Sequence, residues 1–195
     1  TSHVTANTAV GFMSLIGSAN TASNTGIGNT AIGYVSLYSN SSGQKNTANG
    51  SYALPSNTTG SENTASGFAG LYSNTSGERN VANGNNTLFY NTTGVDNTGL
   101  GYYALTNNTS GSGNTAVGGQ SSQNNTTGVN QVAIGKYALM TNVGMHNSVA
   151  IGAFSMMNAN SSTSDANTFN TAVGYESLMG SSTPTLNTGT KNTAL

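Results

Sequence analysis

The phrase Asn114-Thr115-Ala116-Val117-Gly118 decides the fold, because it returns from one end of the chain to the other. It recurs as Asn7-Thr8-Ala9-Val10-Gly11, Asn29-Thr30-Ala31-Ile32-Gly33 and Asn170-Thr171-Ala172-Val173-Gly174. Looser copies open at Asn46, Asn63, Asn80, Asn97, Gln131 and Ser148. The closing glycines are Gly11, Gly33, Gly50, Gly67, Gly84, Gly101, Gly118, Gly135, Gly152 and Gly174. From Gly33 to Gly152 they stand 17 residues apart, and the intervals on either side are 22. A fixed period this short marks a stacked, quasi-one-dimensional architecture in which each unit packs on the next.

Within a unit, Thr-Ala-Val-Gly-Tyr alternates as a strand does, with Thr, Val and Tyr on one side and Ala on the other. The Asn-(Thr/Ser)-(Thr/Ser)-Gly phrase that follows is turn chemistry, where Asn bonds its own main chain and Gly is expected to supply positive φ. Glycine every few residues rules against helix. The expected class is an all-β parallel β-solenoid or β-roll, with one 17-residue repeat per coil. Residues 1–195 form a single array of about eleven coils, with 22-residue units near both ends. Strands paired about 4.8 Å apart would make a rod of roughly 50 Å. Thr1 is not an initiator, and Leu195 interrupts a new Asn192-Thr193-Ala194 phrase, so the array reads as an excerpt of a longer fibre.

Composition narrows the function. Only 5% of the residues are charged and the net charge is -1, which offers nothing to nucleic acid or to an anionic membrane. Lys45, Arg79, Lys136 and Lys191 read as scattered. No apolar run approaches the roughly 18 residues of a membrane span, so no membrane insertion is expected. There is no cysteine to staple the fold or to bind metal. His3 and His146 lie in different registers with no ligand-spaced partner, so neither a metal nor a catalytic role is expected. Asp96, Asp165, Glu62, Glu78 and Glu176 show no recurring acid–base pair. Gly26-Ile27-Gly28 lacks the further Gly and the helix that cradle a phosphate. No catalytic residue, metal or cofactor is assigned, and an enzyme is not expected.

The residues that repeat are the candidates. Asn40, Asn57, Asn74, Asn91, Asn108 and Asn125 recur every 17 residues, so stacking would align their amides in a ladder along the rod. Each also opens an Asn-x-Ser/Thr sequon, which leaves glycosylation open. Asn49, Ser66 and Asn83 replace the apolar Val or Ile of the phrase in three successive units. On a symmetry axis they would form polar rings holding ordered water. Tyr34, Phe68, Tyr102 and Tyr175 share the position after the glycine, while Tyr38, Tyr72 and Phe89 share another. Ring stacking that stiffens the rod is the expected role, with a sugar-binding face as the alternative.

A single column of such coils has little apolar surface to set against an ordering cost on the order of 1–2 kcal/mol per residue. Association along the Val/Ile/Leu stripes is therefore expected. Ser148-Val149-Ala150-Ile151-Gly152 and Val132-Ala133-Ile134-Gly135 resemble the head repeats of trimeric autotransporter adhesins. Asn170-Thr171-Ala172-Val173-Gly174-Tyr175-Glu176-Ser177-Leu178 is similar to a relative of that repeat found in phage tail fibres. The resemblance implies a left-handed roll, a homotrimer around a common axis, and a place outside a cell, on a cell surface or on a virion. It departs from the adhesin pattern in the longer coil and the Asn-Thr-Thr-Gly turn. The function expected is an extracellular structural or adhesive fibre segment, with any cell-surface glycan or receptor met by regions outside this chain. The alternatives are a self-assembling extracellular filament and an ice-binding solenoid, for which Thr8, Thr30, Thr47 and Thr64 give a single Thr rank.

Overall fold

The computed structural model describes residues 6–17, 24–158, 166–181 and 189–195. His3, Asp165 and most of the two expansions lie outside the described residues. Each phrase forms one short strand: β1 (Thr8–Val10), β2 (Thr30–Ile32), β3 (Thr47–Asn49), β4 (Thr64–Ser66), β5 (Val81–Asn83), β6 (Thr98–Leu100), β7 (Thr115–Val117) and β8 (Val132–Ile134). After β9 (Met145–His146) come β10 (Val149–Ile151), β11 (Ala166–Asn167), β12 (Thr171–Val173) and β13 (Thr193–Ala194). No helix occurs among the described residues.

β1 to β8, β10, β12 and β13 make one eleven-stranded sheet in chain order, and β9 pairs with β11 beside it. All pairing is parallel, and like pairs with like: Ala48 with Ala65, Thr47 with Thr64. The protein is a parallel β-solenoid with one 17-residue repeat per coil between β2 and β10. Outside the strands the backbone also bonds coil to coil, as in Leu54 N–H to Gly70 O at 3.0 Å and Thr58 N–H to Thr75 O at 2.9 Å. Backbone donors along most of a coil therefore find their acceptors in the coil above or below, which is how a chain with so little regular structure satisfies its main chain.

Alternation sets the inside of the strand. The middle alanines Ala31, Ala48, Ala65, Ala82, Ala116, Ala133, Ala150 and Ala172 are buried, while the residues on either side face out. Past the closing glycine the chain turns sharply. Gly50 has φ 147°, and a Cβ there would collide with the carbonyl of Gly67 in the next coil. Two left-handed residues follow, Tyr52 at 57° and Leu54 at 52°, and a third closes the unit at Glu62, φ 60°. The left-handed region is uncommon for residues with a Cβ, yet the same three positions adopt it coil after coil. Those turns carry Leu37, Leu54, Leu71, Leu88, Leu105 and Leu139 inward, where all are fully buried. The association stripe expected from Val, Ile and Leu thus divides: these turn leucines are the coils' own core, and the outside is reached by the strands' third residues, valine, isoleucine and, in β6, Leu100.

The turn glycines act differently from expectation. Gly43, Gly60 and Gly77 do not take positive φ. A Cβ at Gly60 would overlap the carbonyl of Gly77 and stand 2.5 Å from Asn57 Oδ1. Glycine is required there by close approach, and the left-handed bend falls two residues later.

Candidate functional site

Asparagine organises the polar half of the coil. Asn57 Nδ2 donates to Asn40 Oδ1 at 2.8 Å and to Gly60 O at 2.9 Å. The pattern repeats from Asn74 to Asn57, Asn91 to Asn74, Asn108 to Asn91 and Asn125 to Asn108, at 2.8 to 2.9 Å. All six of these side chains are buried. Each internal rung, Asn57, Asn74, Asn91 and Asn108, uses both amide hydrogens and the carbonyl oxygen, so these four amides are not open to a glycan in the folded coil.

A second ladder escaped the sequence reading. The asparagine that opens the phrase is also buried, and its oxygen accepts the next unit's opening N–H: Asn63 N to Asn46 Oδ1 at 3.0 Å, then Asn80 N to Asn63 Oδ1 at 3.0 Å. Its Nδ2 reaches the same glycine carbonyl as the first ladder, so Gly60 O accepts from both Asn46 (2.8 Å) and Asn57 (2.9 Å). Two amide columns and one row of carbonyls form a continuous buried seam. A hydrogen bond formed there contributes roughly 0.5–1.5 kcal/mol, and an orphaned partner costs about 1–3 kcal/mol.

The seam changes hands at Gln131, which replaces the opening asparagine. Gln131 Nε2 donates to Asn125 Oδ1 at 3.1 Å and to Met145 O, and its Oε1 accepts from Asn142 at 2.7 Å and Ser122 at 3.2 Å. Ser122 stands where the adjoining coils bury Leu105 and Leu139. The longer amide reaches the space that leucine vacates and links the two ladders.

The outer strand surface is apolar without being charged. Val10 is 58% exposed and Ile32 40%, and Leu100, Ile134, Ile151 and Val173 continue the rank. Asn49 and Asn83 lie on the same rank, exposed, with half-buried Ser66 between them. The sequence reading placed these three together, and the sheet register aligns them on successive strands. Beyond the closing glycine the exposed rings are Phe12, Tyr34, Phe68, Tyr102 and Tyr175. They interleave with Tyr52: Tyr34 meets Tyr52 edge-on at 5.2 Å, and Tyr52 meets Phe68 at 6.0 Å. Tyr72 and Phe89 stack at 4.7 Å and 3°, so each covers a face a sugar would need.

Charges are sparse but ordered. Lys45, Glu62, Arg79 and Asp96 share one left-handed position and alternate in sign. Lys45 pairs with Glu62 at 3.2 Å, and Arg79 pairs with Asp96 at 2.7 Å and with Glu78 at 2.9 Å. The cations that read as scattered therefore belong, in two cases, to one rank of ion pairs. The hydrogen bonds from Arg79 hold the Asp96 carboxyl below its usual range. His146 Nδ1 accepts from Val129 N–H at 3.0 Å. Among the described residues no group of three or more His, Asp or Glu side chains is placed to hold a metal ion, and no helix is long and apolar enough to cross a membrane.

Compared with family models, curated proteins and solved structures, the chain finds no match in any of the three.

Proposed function

We propose that this chain is a segment of an extracellular structural or adhesive fibre, in which three parallel copies associate through the outer strand face. The observation that carries the reading is the uncharged apolar rank from Val10 and Ile32 to Leu100, Ile134, Ile151 and Val173, exposed on an isolated coil column. Exposed apolar side chains aligned in this way mark an interaction site. The coil's own core supports the same reading, since it holds little beyond leucine and alanine. The number three and the extracellular setting come from the likeness of the repeat phrases to adhesin heads and tail-fibre repeats. The role is mechanical: coil number sets reach, and the amide seam sets stiffness.

The test is native mass and shape in dilute solution, by light scattering with negative-stain microscopy. Short rods with the mass of three chains are expected. A compact monomer would remove the association and the fibre reading with it.

A further inference from the structure

A solenoid built from one repeated unit has a problem of register. Every coil offers a neighbouring copy nearly the same surface, and sliding one copy past another by a single coil, about 4.8 Å, restores nearly the same contacts. An apolar stripe holds copies together without telling them where to stop, because the hydrophobic effect is not directional. The outer rank of this chain breaks that degeneracy at one place. Asn49, Ser66 and Asn83 occupy three successive strands, with Ile32 before them and Leu100 after.

We infer that Asn49, Ser66 and Asn83 are an axial register key, read by a second copy of this chain. The inference rests on the association proposed above. In register, amide and hydroxyl groups of the copies lie level with one another and share hydrogen bonds or water. After a slip of one coil, Asn83 of one copy lies level with Leu100 of its neighbour, and Ile32 lies level with Asn49. Each mismatch then buries a polar group against a hydrocarbon with no partner. A single polar position in an otherwise apolar seam fixes alignment in coiled coils by the same physics.

A second copy is the occupant that fits. No Lys, Arg, Asp or Glu occurs at any outward strand position, so nothing there attracts a charged partner. A face of eleven strands is about 48 Å long and, with the Thr and ring ranks beside it, about 14 Å wide. That area of roughly 700 Å² is close to the ~800 Å² per partner of a stable interface. The polar stretch matches nothing so well as itself.

The chain lacks cysteine, so single cysteines report alignment directly. A Val117→Cys chain is co-assembled with a tagged Ile134→Cys chain and oxidised, and like and unlike disulfide pairs are separated on a denaturing gel. With the key intact, like pairs are expected almost alone. In the Asn49→Val/Ser66→Val/Asn83→Val background the like-over-unlike preference should be lost while the native mass stays the same. A second pairing moves the key: an Ile32→Asn/Asn83→Val chain carrying Val117→Cys, mixed with an otherwise unchanged Ile134→Cys chain, should now give unlike pairs. Strict like pairing in both backgrounds, with the native mass unchanged, would overturn the register key and leave association standing. Monomers of the unsubstituted chain would overturn both.

Discussion

Thr87 fills the space that Gly99 leaves empty. Every other strand of the eleven-stranded sheet has alanine at its middle position, and β6 alone has glycine. A Cβ at Gly99 would stand 2.5 Å from Thr87 Cγ2, while the Thr87 hydroxyl donates to Gly101 O at 2.6 Å. Gly99→Ala should therefore destabilise by about 2 kcal/mol, as overpacked cores do. The Gly99→Ala/Thr87→Ala pair restores the common repeat and should recover most of that loss. Thermal unfolding of the two single variants and the double gives the coupling energy, expected at about 1–3 kcal/mol. Additive effects would show that the two sites do not share the space.

Gln131 and Ser122 make a similar pair in polar chemistry. Gln131→Asn shortens the amide that serves Ser122, Asn142 and Asn125, and should cost about 2–3 kcal/mol by orphaning buried groups. Adding Ser122→Leu recreates the unit seen in the neighbouring coils and should restore stability. Denaturant midpoints of the three proteins check this.

Asn74 tests the first ladder at its middle. Asn74→Ala removes the donor to Asn57 and Gly77 and the acceptor for Asn91. A loss of about 3 kcal/mol or more is expected, with hydrogen exchange accelerated first in the two adjoining coils. Exchange that rises evenly along the rod would argue against a local rung.

Asn86 is a place where the chain falls short of its own pattern. Its φ is 53° and its Oδ1 is buried without a partner, while its N–H donates to Phe68 O and its C=O accepts from the Thr106 hydroxyl. Asn86→Gly keeps both main-chain bonds, relieves the left-handed cost and removes the orphan. It should stabilise by about 1 kcal/mol, measured as a raised thermal midpoint.

The ion-pair rank predicts a small acid dependence. Asp96 is held below its usual pKa by Arg79, so its contribution is complete above the ordinary carboxylate value and disappears as pH falls through its lowered one. Comparing the thermal midpoint at neutral pH with that at pH about 2 should show a drop that Asp96→Asn reduces. Salt should shrink it as well, since both side chains are exposed.

How far the sequence could be read follows from the same residues. The glycine period made the solenoid legible, and the spacing of Asn40 to Asn125 put the first amide ladder on view. Asn46, Asn63 and Asn80 recur just as regularly, but a period gives a rank without saying which backbone group its side chain meets. The inward leucine was hidden because strand alternation holds for three residues and then breaks at Gly50, where φ is 147°. Lys45, Glu62, Arg79 and Asp96 concealed their common position by differing in type. Thr87 with Gly99 and Ser122 with Gln131 were out of reach, since neither pair lies at the repeat spacing.

Hydrogen bonds that run from coil to coil also point along the rod, and this decides how the molecule answers a pull. Traction between its ends loads the coils in series, so the weakest yields first and its neighbours stay folded. Each coil that peels away frees 17 residues, roughly 50 Å of slack for a few ångströms of lost rod. A force–extension trace would be a sawtooth of small, even steps, and the chain would behave as a tether that lengthens under load and rewinds when the load is released.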